Sequence, residues 1–85
     1  MFDLGQVVTT RTISETLGFE TVMGLLARHH SCDWGDLSED DKQLNEEALK
    51  GRDRIFSAYQ VGDERVYVIT EWDRSVTTVL YSDEY

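Results

Sequence analysis

An α+β fold is predicted from three observations: a β-branched run near the N-terminus, two middle stretches with helical apolar spacing, and a change to period-two patterning over the last third. The expected order is β-α-α-β-β-β, an antiparallel sheet with two helices packed on one face. The first strand either joins an edge of the sheet or pairs in its middle.

The first strand is expected over residues 5–12, where Val7, Val8, Thr9, Thr10 and Thr12 favour extended backbone. Thr12-Ile13-Ser14-Glu15 has the spacing of a capping box, so a helix should follow. Leu17, Phe19, Val22, Met23 and Leu26 carry its apolar stripe to Arg28-His29-His30, with Gly18 able to divide a short first turn from the main helix. Residues 31–36 read as a loop. Ser38 caps the next helix, with Glu39, Asp40 and Asp41 in its first turn, and Lys50-Gly51 closes it. Leu37, Leu44 and Ala48, with Leu49 at the margin, form the thin stripe that should pack. Residues 55–61, 65–71 and 76–81 are β-rich and separated by turn-formers, which gives a three-stranded meander.

Eighty-five residues, 40% of them apolar and 29% charged, suit one folded domain spanning 1–85. No run approaches the ~20 apolar residues of a membrane span. The start, Met1-Phe2-Asp3-Leu4-Gly5, lacks the basic and apolar regions of a signal peptide. The single cysteine, Cys32, fits a reducing compartment, so the chain reads as cytoplasmic. A net charge of −9 opposes direct binding to nucleic acid or to anionic membranes.

Further segments bear on family. Arg28-His29, then residues 33–41 (DWGDLSEDD) and 45–49 (NEEAL), together with residues 69–80 (ITEWDRSVTTVL) and the Glu84-Tyr85 ending, resemble a family of small acidic proteins encoded on plasmids and integrative elements. Members often carry proline where this chain has Asp83. The resemblance covers roughly residues 25–85, implies a mobile-element setting, and supplies no catalytic residues.

The densest chemical group is Arg28-His29-His30-Ser31-Cys32-Asp33. Adjacent histidines on a helix point about 100° apart, so they do not converge on one metal. The expected reading is helix-end histidines interacting with the C-terminal dipole. Cys32 lacks the partners of a thiol nucleophile. Glu71 and Asp73 beside Trp72 are the only acids whose apolar neighbour suggests a partly dry site, and Asp73 and Ser75 read as turn-formers. The glycines form no phosphate loop. No catalytic residue, metal or cofactor is expected.

Between Asp33 and Glu47 stand seven carboxylates and one lysine. Helical spacing sets Asp36, Asp40, Gln43 and Glu47 along one side, with Glu39 and Glu46 beside them. Neighbours about 6 Å apart would approximate phosphate spacing along a nucleic-acid strand. Trp34 reads as an interface anchor or a core plug, its indole covering the junction between the two helices with one edge exposed. Asp33, Trp34, Asp36, Glu39, Asp40, Glu46 and Glu47 are therefore the expected partner-binding residues. The expected partner is a basic nucleic-acid-binding host defence protein, inhibited by charge mimicry as anti-restriction and anti-CRISPR proteins do. The alternatives are an accessory partner of mobile-element proteins binding through its sheet, with the acids only solubilising, and an enzyme centred on His29 and Cys32.

Overall fold

A computed structural model describes residues 2–85; Met1, part of the N-terminal stretch read above, lies outside the described residues. The chain runs β1 (Gln6–Thr9), α1 (Arg11–Thr16), α2 (Phe19–His30), α3 (Glu39–Lys50), β2 (Ile55–Val61), β3 (Glu64–Thr70), β4 (Val76–Tyr81) and a 3-10 turn, Ser82–Glu84. The fold is α+β, with one four-stranded sheet in the order β1-β4-β3-β2.

The sheet is mixed, which corrects the expected antiparallel arrangement. β2, β3 and β4 form the antiparallel meander, whereas β1 lies parallel to β4. A hairpin dictates antiparallel pairing, but a long connection does not. Three helices separate β1 from the meander, and they bring the chain back with β1 at an edge.

The hairpin between β2 and β3 turns on Gly62 and Asp63, with Gly62 at φ +60°. Only the first central residue has positive φ, as in the type II′ turns that match strand twist. The β3–β4 connection contains Arg74, a non-glycine residue at φ +61°. Its guanidinium holds that conformation by donating to four main-chain carbonyls: Asp53 and Ala48 (both 2.7 Å), Glu71 and Trp72 (both 3.2 Å). The Ala48 carbonyl belongs to the last turn of α3, so Arg74 also satisfies an otherwise free helix-end acceptor.

The first helix starts earlier than expected. Thr10, not Thr12, is its cap and accepts from the Ile13 amide, and Glu15 pairs with Arg11. Thr10 wins because extended backbone already ends there, and its hydroxyl is held further by Glu84 (2.9 Å). Gly18 does separate α1 from α2, and Ser38 does cap α3 by accepting from Asp41 N.

Two apolar clusters hold the elements. Ile13, Leu25 and Leu26 pack on Tyr59, Val66, Val68, Val79 and Tyr81. Phe2, Trp34, Ala48 and Ile55 form the second, with Leu37 and Leu49 against it. Leu44 departs from the expected stripe: it is 61% exposed, and Asn45 takes the buried position. The Asn45 carboxamide donates to Phe56 O (2.6 Å) and accepts from Phe56 N (3.0 Å), a main-chain pairing no aliphatic side chain could make.

Candidate functional site

α3 carries the acidic surface. Its Asn45 and Ala48 face inward, so residues on the opposite side are set by the 100° turn per residue. Asp40, Gln43 and Glu47 lie at the centre of that outer face, flanked by Glu39, Glu46 and Lys50 on one side and by exposed Leu44 on the other. Glu39 has Lys42 within 3.8 Å, whereas no ion pair engages Asp40 or Glu47 among the described residues.

The other expected acids are employed within the molecule. Asp36 precedes the helix and meets Arg65, which donates to its carboxylate (3.1 Å) and its carbonyl (2.9 Å). The row from Asp36 to Glu47 is therefore broken at its first member. Asp33 accepts from Arg28 (2.7 Å), and this bond holds its carboxyl below the usual carboxylate range. The Arg28 guanidinium also stacks 4.5 Å over the Tyr59 ring, whose hydroxyl donates to Asp33 O (2.6 Å). Burial pushes the Tyr59 phenol up to about 12, so it remains a donor at any physiological pH.

Trp34 is 4% exposed, which removes it from the accessible surface and makes it a core residue. It does lie at the junction of two helices, against His29 of α2 and beside Ala48 of α3. No edge stays open: the indole N–H donates to Glu46 Oε2 (2.9 Å), so Glu46 is a structural acceptor as well as a surface acid. The loop can approach this closely because Gly35 bridges Ala58. A Cβ on Gly35 would come 2.1 Å from Ala58 O, at a φ of +75°.

His29 does lie in the last turn of α2, as expected, but it is wholly buried. Its Nδ1 meets Ser57 Oγ at 2.5 Å and its Nε2 meets Thr70 Oγ1 at 2.9 Å. Thr70 lies 2.7 Å from Thr77 Oγ1, which itself donates to Leu4 O. Because each hydroxyl has one proton, the chain has one direction: Thr77 gives to Leu4, Thr70 to Thr77, His29 Nε2–H to Thr70, and Ser57 to Nδ1. Burial, the largest cause, and the neighbouring His30 lower the His29 pKa to about 4, so the ring is neutral. Serine beside histidine has the form of a nucleophile and its base. Here both side chains have zero exposure, so the pair has no route to a substrate.

The remaining members of that cluster also have other employment. His30 Nε2 bonds Phe2 O (3.0 Å), and burial raises the pKa of the half-buried Cys32 thiol. Among the described residues no three His, Cys, Asp or Glu side chains converge as metal ligands. Glu71 pairs with Arg54 (3.2 Å), and Asp73 accepts from Ser75 N and Oγ, as a turn-former does.

One feature escaped the sequence. An apolar groove of about 480 Å³ lies between β1 and α2, and exposed Phe19 and Met23 border it. The alternation of Val7 and Thr9 with the α2 stripe contained that signal, but both read equally well as core. No family model matches the chain, and neither curated proteins nor solved structures provide a match.

Proposed function

We propose that this protein is a non-enzymatic, cytoplasmic binding protein of a mobile genetic element that blocks a basic nucleic-acid-binding host defence protein. The contact is the outer face of α3, where Asp40 and Glu47, with Glu39 and Glu46 beside them, take the place of phosphates. Leu44, exposed on the flank of the same helix, adds an apolar contact.

The observation behind this reading is where the cations go. Of eight Lys and Arg side chains, five are in ion pairs among the described residues and a sixth, Arg74, is spent on carbonyls. Of the remaining two, Lys50 closes α3 beside Glu46 and Glu47, so Glu39, Asp40, Glu46 and Glu47 outnumber the one uncommitted cation of that face, and the acid surplus steers a basic partner from a distance. Affinity capture from host lysate with the wild type and with the Asp40→Lys/Glu47→Lys double variant tests it. The wild type should retain a basic nucleic-acid-binding protein that the double variant loses, while both fold alike. Equal recovery by the two would end the proposal.

A second reading, an accessory protein binding through its sheet, is favoured by the open edge of β1.

A further inference from the structure

The two edges of the sheet are finished differently. At the β2 edge, the outward main-chain groups of Phe56 are both taken by Asn45, and those of Ala58 by Trp34 O (3.2 Å) and Asp36 N (2.7 Å). At the β1 edge, Gln6 N and Thr10 N donate inward, to Ser75 O (2.9 Å) and Val79 O (3.1 Å). Strand alternation then turns the N–H and C=O of Val7 and Thr9 outward. Among the described residues no other segment bonds them. Natural sheets guard such edges with lysine, proline or a covering loop, yet Gln6-Val7-Val8-Thr9 has no charge and no proline.

We infer that this edge is a homodimer interface, in which β1 pairs antiparallel with β1 of a second copy about a twofold axis through Val8. The outward pattern is self-complementary. Val7 of each copy faces Thr9 of the other, both with N–H and C=O free, so the pairing makes four hydrogen bonds and one continuous eight-stranded sheet. An axis perpendicular to the sheet leaves both α2 helices on the same side, so Phe19 and Met23 of each copy close over the apolar groove.

The area is sufficient, though small. A large apolar side chain exposes on the order of 200 Å² when free. Phe19 at 78% and Met23 at 47% exposure then hold about 250 Å² between them, and Val7 and Val8 bring the sum to about 350 Å² per copy. A symmetric pair hides about 700 Å² of apolar surface, and since interfaces are only ~58% apolar the whole would approach 1,200 Å². That is the low end for specific complexes. Among the described residues no carboxylate lines the groove, so its apolar surface brings no acid from either copy of charge −9.

Sedimentation velocity from about 1 to 500 µM tests the inference, with a dimer of Kd on the order of 10 µM expected for an interface of this size. Raising salt to about 0.5 M should tighten the dimer, because it screens the repulsion between like-charged copies. Val7→Pro removes an outward N–H that the fold itself does not use, and should weaken association at least tenfold. Phe19→Glu alters a side chain too exposed to support the fold, and should do the same; it decides the matter should the proline variant misfold. Val7 and Thr9 amides should gain exchange protection as concentration rises. A monomer throughout the range, whether or not it takes up an added β-strand peptide, would overturn the inference, as would a dimer indifferent to Phe19→Glu.

Discussion

His29 Nδ1 lies 2.5 Å from Ser57 Oγ beneath the sheet, with neither side chain exposed to solvent. A chain of donors runs from there through Thr70 and Thr77 to Leu4 O, and it has room for one ring proton only. Charging the ring would make Nδ1 a donor facing a hydroxyl that already donates to it, at a position closed to bulk solvent.

This gives the fold an acid-sensitive element. The native pKa of about 4 is below the ordinary 6.5, so the unfolded chain binds the proton first as pH falls. The contribution is complete above pH ~6.5 and is lost progressively down to pH ~4, by about 3 kcal/mol in all. Imidazole titration followed by NMR should show His29 neutral, protonated on Nε2, at pH 5.5. A midpoint near 6.5 would refute the buried network.

Asn45→Ala should cost about 2 kcal/mol, because it orphans the N–H and C=O of Phe56 at the β2 edge. Urea unfolding gives the loss, and the Phe56 amide should lose exchange protection ahead of its neighbours. An unchanged Phe56 amide would mean that the edge is closed by something else.

Trp34→Ala should cost about 3–5 kcal/mol, the usual penalty for emptying a core aromatic site. Glu46→Gln keeps an acceptor for the indole and should cost less than about 1 kcal/mol. In a Trp72→Phe background, Trp34 emission should be blue-shifted and quencher-resistant in the free protein. Water-exposed emission would return Trp34 to the surface.

Gly35→Ala forces a Cβ into Ala58 O and the Tyr59 ring at a positive φ, and should destabilise by about 3 kcal/mol or more. Thermal unfolding of the variant measures it. A near-neutral outcome would show that the loop does not rest on β2.

The meander, the Ser38 cap, the Gly18 break and the Lys50-Gly51 helix end were legible because each depends on residues close in sequence. Period-two runs need only their neighbours, and a capping serine needs only the amide three residues on. The parallel placement of β1 was not legible, since nothing within Gln6–Thr9 encodes which strand it will meet. Asn45 read as surface and Leu44 as core, because a carboxamide counts as polar until a free strand edge appears beside it. The acidic row suffered similarly: Asp36 and Glu46 sit at suitable spacing, yet Arg65 lies 29 residues away and Trp34 lies in a loop. Long-range partners took what local spacing had assigned to solvent.

The α3 proposal is tested most directly by competition for the purified partner. Increasing double-stranded nucleic acid should displace the protein from the complex, and raising salt from about 0.05 to 0.5 M should weaken the complex at least tenfold, since exposed charges are screened beyond ~8 Å at physiological ionic strength. Asp40→Lys/Glu47→Lys should abolish binding with a stability change below ~0.5 kcal/mol per site. A complex that withstands 0.5 M salt, ignores nucleic acid and tolerates both reversals would contradict the account.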